Sequence, residues 1–206
     1  MCGGMGGRSL MIVNLEERYE ERGLPSALAF RTQFDKEVFM VINLVRTEPE
    51  FIIPYVERLF GNSKEERVRQ KSVRLVEELR KVGKRRPIKA NGDASQACWI
   101  SLQKNADKVR SHGELMGCAE TEALEVDPYF KRGKRLNEFA WFKEEGTALS
   151  LILQELFDYY NAFTGGSPPS DQTILLDSLK EIGIASVNAG SGKVTMQHLY
   201  IFESMF

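Results

Sequence analysis

Few side chains in this sequence have the chemistry of a general base, a nucleophile or a metal ligand. The histidines are only two, His112 and His198. His112 lies in a polar Ser-His-Gly-Glu segment, where a metal or catalytic site would need carboxylate partners from elsewhere in the chain. His198 lies among apolar residues of a strand-like segment, which favours a side chain at the surface or edge of a sheet.

The cysteines do not form a pattern that binds metal or builds a disulfide framework. Cys2, Cys98 and Cys118 are odd in number and contain no CxxC pair. Cys98 lies beside Trp99 on an apolar helix face, so we expect a core thiol there. The sequence therefore predicts no metal and no cofactor.

Composition is that of an ordinary globular protein. Of the 206 residues, 42% are hydrophobic and 28% are charged, which fits one well-packed domain. The formal net charge is −1, so no overall charge favours nucleic acid or an anionic membrane as the partner. The N-terminal residues lack a signal-peptide pattern and no stretch is long enough to span a membrane, which predicts a cytoplasmic protein.

The first 34 residues have the composition of an arm that precedes the domain of residues 35–206. Four glycines lie within the first seven positions, while Leu10, Ile12 and Val13 supply a short apolar run. Too little apolar material is present for an independent core, so we expect a partly flexible segment. Two interpretations remain open: a disordered tail, or an arm that folds on a partner.

The apolar pattern predicts helices first and a pair of strands last. Helical periodicity covers residues 9–22, 35–45, 53–60, 64–82, 93–110 and 144–160. The predicted N-caps are Asp35, Ser63 and Asp93, with Glu66 as the capping-box partner of Ser63. Residues 182–189 and 193–202 read as strands joined by a Gly-Ser-Gly turn. This order predicts the α+β class.

A run of cations follows the helix predicted over 64–82. We call it the basic stretch, and it comprises Arg80, Lys81, Lys84, Arg85, Arg86 and Lys89. Such a run is usually a solvated face, and an acidic protein partner is the sharper alternative.

Residues 168–189 align without a gap with the pattern R-G-H-R-x-N-I-(F/L)-N-x-x-(F/Y)-K-x-(I/V)-G-I-(A/G). This pattern is typical of the CAP (SCP-like) superfamily, which the C-terminal region therefore resembles. Residues 198–206 resemble the closing strand. The matching positions are Ile174, Leu175, Lys180, Ile182, Gly183, Ile184 and Ala185.

Upstream segments are similar to the same family in the same order. Residues 42–54 resemble its opening (I/L)-N-x-x-R-x-x-P-x-x-F-x-P, with Asn43 and Arg46 at the fixed polar positions. Residues 87–106 resemble a family helix, and 138–148 resemble E-N-I-x-x-G followed by a helix. The resemblance covers about residues 36–206 and is to the form found in intracellular and protist members.

The resemblance implies an α-β-α sandwich with a central antiparallel sheet, whose further strands would come from segments such as 136–143. It also implies a cleft with two histidines and two acidic residues that can hold a divalent metal. In this chain His112 and Glu138 match two of those positions, and Asp158 or Glu155 stands for another. Ser170 replaces the second histidine, and a neutral hydroxyl is a poor metal ligand or base.

Three functions from different classes follow. The first is a non-catalytic structural or protein-interaction domain in a large intracellular assembly, by analogy a cilium or flagellum with its axonemal microtubules. Its predicted partner-binding residues are Leu10, Ile12, Val13, Lys84, Arg85 and Arg86. The second is a metal-dependent hydrolase-like enzyme that uses His112 and Glu138. The third is a binder of lipid or another small molecule.

Overall fold

The computed structural model describes residues 14–27, 29–105, 118–126, 134–143, 146–159, 173–189 and 193–203. The helices are α1 (Leu15–Glu20), α2 (Gln33–Thr47), α3 (Ile53–Val56), α4 (Glu66–Val82), α5 (Gly92–Asn105), α6 (Cys118–Val126) and α7 (Ala148–Tyr159). Short 3-10 turns at Pro49–Ile52 and Thr173–Leu175 and a π turn at Glu57–Gly61 complete the helical elements. The strands are β1 (Lys89–Ala90), β2 (Lys134–Lys143), β3 (Leu179–Ala189) and β4 (Lys193–Glu203).

The four strands form one sheet in the order β1-β3-β4-β2. Strand β4 pairs antiparallel with β3 on one side and with β2 on the other, so it lies inside the sheet. The two predicted C-terminal strands and the α+β class are confirmed, and β2 comes from the segment expected to supply a further strand. A wholly antiparallel sheet was wrong, because β1 pairs parallel with β3.

Helices pack on both faces of this sheet, as the alternation along the strands requires. On one face, Ile182 and Ile184 of β3 join Met196, Tyr200 and Phe202 of β4 in a core with α2, α4 and α7. On the other face, Ala185, Leu199 and Ile201 join a smaller cluster with α5 and α6. Each of the two inner strands is therefore buried on both sides.

Helix α5 lies against β3 at Gly183. A Cβ atom built at this glycine would lie 2.5 Å from both the Ala94 Cβ and the Ser95 nitrogen, so no side chain fits. The Ile184 N–H donates to Ser95 Oγ at 3.1 Å, which fixes the contact. The glycine therefore marks a close backbone approach, as glycine within a strand often does.

Helix α2 carries the two polar residues of the I-N-x-x-R segment into the core. Asn43 Oδ1 accepts from the Ile88 N–H at 2.8 Å, and its Nδ2 donates to the Ile88 carbonyl at 3.3 Å. Arg46 is fully buried and donates to the carbonyls of Arg86 and Leu176 at 2.9 and 3.0 Å, and to that of Ile174. These side chains hold the segments before β1 and β3 against α2, so the two polar residues of this motif have a structural role.

The helix starts differ from those predicted. Thr32, not Asp35, caps α2, because Thr32 Oγ1 accepts from the Asp35 N–H at 3.0 Å. Asn91, not Asp93, caps α5, because Asn91 Oδ1 accepts from the Ala94 N–H at 2.9 Å. In both cases a polar residue just upstream reaches the free N–H groups of the first turn.

The capping box predicted for α4 does not form either. The residue before α4 is Glu65, whose side chain makes no capping bond. Ser63 Oγ accepts from the Glu65 N–H at 3.2 Å, and Glu66 instead accepts from Gln70 at 2.9 Å and pairs with Arg69.

The described part of the N-terminal arm belongs to the packed domain. Tyr19 and Phe30 are 4% exposed and join the core that contains α2. The Tyr19 hydroxyl donates to the Pro25 carbonyl at 2.7 Å and accepts from Asn43 at 3.1 Å. The described residues between 14 and 34 therefore pack with the domain that follows them. The boundary predicted at residue 34 does not divide two packing units there. Leu10, Ile12 and Val13 lie outside the described residues.

Candidate functional site

The residues predicted from the family site fall largely outside what the structure describes. His112 and Ser170 lie in segments that are not described, as do the side chains of Glu138 and Asp158. The backbone places Glu138 opposite Leu199 in the β2–β4 register and Asp158 in the last turn of α7. Whether His112, Glu138 and Asp158 converge therefore stays a prediction.

A different polar cluster lies beneath α7, and we call it the buried triad: Glu155, Tyr200 and His198. Glu155 Oε1 accepts from the Tyr200 hydroxyl at 2.5 Å. Since the single hydroxyl hydrogen is used there, His198 Nδ1 is the donor to the Tyr200 oxygen at 3.1 Å. The three side chains are between 0 and 1% exposed.

Burial sets the protonation of the buried triad. It raises the pKa of Glu155 to about 8, against a smaller opposing effect of the Tyr200 hydrogen bond. It lowers the pKa of His198 to about 3. Both groups are therefore neutral near pH 7, and the 3.7 Å approach of His198 Nδ1 to Glu155 Oε2 joins two neutral groups.

This finding corrects the prediction for His198. The side chain is fully buried, because β4 is flanked by strands on both sides and His198 lies on the face that the core of α2, α4 and α7 covers. Alternation with Met196, Tyr200 and Phe202 is the sequence signal that identifies its face. The family resemblance gives Glu155 only as an alternative to Asp158 for the second acidic residue of the cleft. Its hydrogen bond to Tyr200 could not be read from spacing.

The buried triad has the groups of an acid–base site but no access. A general acid or base must lie within hydrogen-bond reach of the group it protonates. Here Oε1 of Glu155 and Nδ1 of His198 are turned to Tyr200, while His198 Nε2 lies 3.2 Å from the Met196 sulfur. The arrangement holds α7 on β4 through neutral hydrogen bonds.

Metal-binding chemistry is not assembled within the described ranges. No group of three or more His, Cys, Asp and Glu side chains there is placed to hold a metal ion. Cys98 is a buried thiol of α5 within the smaller apolar cluster, as predicted, and Cys118 is a half-buried thiol.

The basic stretch is the second candidate region, and its members differ in their environment. Arg85 is half-buried and donates to Asp177 Oδ2 at 2.8 Å, while its N–H donates to the Arg46 carbonyl at 2.6 Å. Lys84 and Arg86 are exposed. Of the three cations predicted to bind a partner, Arg85 thus has a structural role, and Lys84 and Arg86 are presented to solvent.

A surface groove of about 460 Å³ lies at the C-terminal end of α4, and we call it the α4 groove. It lies between that helix end, α1 and the 3-10 turn after α2. Its lining residues are Arg18, Glu48, Pro49, Glu50, Phe51, Leu79, Arg80, Gly83 and Lys84. The groove therefore joins the basic stretch to the N-terminal segment.

Two other open grooves bear on the prediction of a small-molecule binder. One of about 490 Å³ lies between α1 and α2 and includes Tyr19, Leu24 and Met40. Another of about 460 Å³ lies along α4. Charged residues line both, Glu16 and Lys36 in the first and Glu66 and Arg69 in the second. Both grooves therefore combine apolar and charged side chains.

None of the helices within the described ranges combines the length and the apolar character needed to cross a membrane. Comparison of the chain with protein-family models, with the curated proteins and with the solved structures found no match.

Proposed function

We propose that this chain is a non-catalytic interaction domain that serves as a component of a large intracellular assembly. The observation that carries the proposal is the contrast in access between its polar groups. The acid–base groups of the buried triad are between 0 and 1% exposed, whereas Lys84 and Arg86 project from the surface. Groups that cannot reach a substrate hold a fold together, and exposed cations are available to a partner.

The resemblance to the CAP superfamily supports the same proposal. Its alignable positions include Asn43, Arg46 and Gly183, and each of these has a packing role. Ser170 stands where the family has its second metal-binding histidine. On this proposal the family's α-β-α sandwich is kept as a scaffold and its polar cleft is lost.

By analogy with intracellular protist members of that family, the proposed assembly is a cilium or flagellum. The protein surface that this chain would bind is then that of the axonemal microtubules. The analogy is one of family and not of mechanism. The proposed partner surface is acidic, and the exposed cations of the basic stretch are complementary to it in charge.

Co-sedimentation tests the proposal. Full-length chain is mixed with assembled microtubules, and its pelleted fraction is compared with that of the double variant Lys84→Glu/Arg86→Glu. Arg85 is left unchanged, because reversing it would break its pair with Asp177. The wild type should pellet in a saturable manner, and the double variant several-fold less at low salt.

A matched control separates a specific surface from charge alone. Arg67→Glu/Arg74→Glu reverses two exposed cations on α4 away from the groove. It should pellet like the wild type. Absence of saturable pelleting by the wild type would refute the microtubule assignment. Turnover of ester, peptide or nucleotide substrates that depends on His112 would refute the non-catalytic role.

A second pair of variants tests the N-terminal segment. Removing residues 1–22 would also remove Tyr19 from the core and Arg18 and Arg22 from their pairs with Glu48. Removing residues 1–13 leaves these contacts in place. If the segment with Leu10, Ile12 and Val13 anchors the chain, this shorter truncation should stay folded and lose most of its pelleted fraction.

A further inference from the structure

The α4 groove has an apolar floor and a wall that is already fixed in place. Leu79 is 1% exposed at its base, and Phe51 packs edge-on against Tyr55 at a ring-centroid distance of 5.6 Å. The guanidinium of Arg18 lies 4.0 Å above the Phe51 ring and pairs with Glu48 at 3.2 Å. Because these side chains hold one another, an incoming ligand need not order them.

Two cations at the rim are not neutralised by this network. Arg80 and Lys84 are exposed and line the groove, and neither forms an ion pair with a residue in the described ranges. Glu48, in contrast, already serves both Arg18 and Arg22. The rim therefore presents positive charge above a hydrophobic floor.

We propose that the α4 groove binds an acidic peptide segment of a partner protein, with one apolar side chain on the floor and its flanking carboxylates at Arg80 and Lys84. The inference rests on the proposed interaction function and specifies its surface and its partner chemistry. Carboxylates complement the two free cations, and an aromatic or aliphatic side chain complements Phe51 and Leu79.

The groove suits a peptide better than a nucleic acid or a membrane. Nucleic-acid sites line up several cations to follow successive phosphates. Here the free rim cations number two, and Glu48 and Glu50 lie beside them. The whole chain has a formal net charge of −1, so its overall charge does not favour a nucleic acid or an anionic membrane. A volume of about 460 Å³ is large enough for an apolar side chain together with its adjoining backbone.

Fluorescence anisotropy with a defined probe tests this inference. The probe is a short fluorescein-labelled peptide of glutamates around a single phenylalanine, titrated with the full-length chain. We expect saturable binding that weakens about tenfold in Arg80→Glu/Lys84→Glu, since each exposed pair contributes roughly 0.7 kcal/mol. Replacing the probe's phenylalanine with alanine should weaken binding several-fold.

Control variants and competing ligands make each outcome decisive. Arg67→Glu/Arg74→Glu carries the same charge change outside the groove and should bind the probe as the wild type does. Equal losses in the two double variants would overturn the proposal, because binding would then follow charge alone. A single-stranded RNA or anionic vesicles that bind more tightly than the probe, with loss in Arg80→Glu/Lys84→Glu, would also overturn it.

Failure of this inference is distinguishable from failure of the proposed function. If the probe does not bind while the wild type still pellets with microtubules, the chain interacts through another surface. If the probe binds through the groove but no pelleting occurs, the acidic partner is a different protein. Thermal unfolding of both double variants, measured alongside, shows that losses of binding are not losses of fold.

Discussion

Ionisable side chains lie in opposite environments in the buried triad and in the α4 groove. Glu155 and His198 have lost water on every side, so burial makes both neutral, and each forms a hydrogen bond with the Tyr200 hydroxyl. Arg80 and Lys84 keep their water and their charge at the rim of a groove. Polar groups of the first kind specify how helix and sheet pack, and those of the second kind are available to a partner.

Within the interior, we expect substitutions to be most destabilising at the contact of α5 with β3. Gly183→Val should prevent folding, and Gly183→Ala should lower the free energy of unfolding by about 3 kcal/mol, because a Cβ there meets backbone. Gly92→Ala, whose Cβ would meet no atom within 4 Å, is the matched control and should be neutral or slightly stabilising. Urea unfolding measures both. A Gly183→Ala protein as stable as the wild type would show that α5 can move.

Arg46 offers a direct comparison of a buried with an exposed cation. Arg46→Leu should lower the free energy of unfolding by about 3 kcal/mol, because the carbonyls of Arg86 and Leu176 would lose their donor. Arg67→Leu, on the exposed face of α4, should change it by less than about 0.5 kcal/mol. Similar effects in the two variants, measured by urea unfolding, would remove the distinction between structural and available cations.

The pH dependence of stability should report the neutral carboxyl of Glu155. Its pKa is about 8 in the fold and ordinarily 4.5, so the folded chain holds an extra proton between these values. The contribution of Glu155 to the free energy of unfolding therefore decreases as pH rises from 4.5 to about 8. His198, with a folded pKa of about 3 and an ordinary 6.5, loses stability as pH falls between 6.5 and 3.

The two effects oppose each other between pH 4.5 and 6.5, so Glu155 should dominate from 6.5 to 8. Glu155→Gln cannot ionise and should gain about 2 kcal/mol of stability relative to the wild type across that interval. Burial also raises the pKa of Asp35, with the same sign, and the difference between the two proteins removes this contribution. If the free energies of unfolding of the wild type and Glu155→Gln changed equally with pH from 6.5 to 8, Glu155 would already be ionised in the folded protein.

Charge changes at the exposed positions of the basic stretch should leave the fold nearly unaffected. Lys84→Glu/Arg86→Glu should shift the free energy of unfolding by less than about 0.5 kcal/mol, because both side chains are exposed. Adding Arg85→Glu should cost more, since Arg85 pairs with Asp177. The difference between the melting temperatures of the double and triple variants measures the additional cost of reversing Arg85. An equal effect of both would place Arg85 among the solvated cations.

The smallest expected signal is metal binding at the family site. Ser170 stands where the CAP pattern has a histidine, so on that resemblance we expect calorimetric zinc titration of the wild type to show no binding above background. His112→Ala should give the same trace. Micromolar binding that disappears in His112→Ala would assign chemistry to a site outside the buried triad and revive the enzyme hypothesis.

Secondary structure followed from the sequence wherever periodicity was strong. The apolar pattern placed the cores of α2, α4 and α7 and both C-terminal strands, because buried faces must repeat with the period of the element. The caps were wrong because each depends on one hydrogen bond, as with Thr32 and Asn91. Strand β2 was not visible as a strand pattern and was expected only from the family resemblance.

The sequence by itself determined the α+β class and the position of the basic stretch, since each depends on composition or on local pattern. Only the tertiary structure decided which polar groups are sealed. Helix α7 covers one face of an interior strand, so His198 and Glu155, 43 positions apart in the chain, meet at Tyr200. Burial, and with it protonation and access, is a property of the packed layers and not of sequence neighbours.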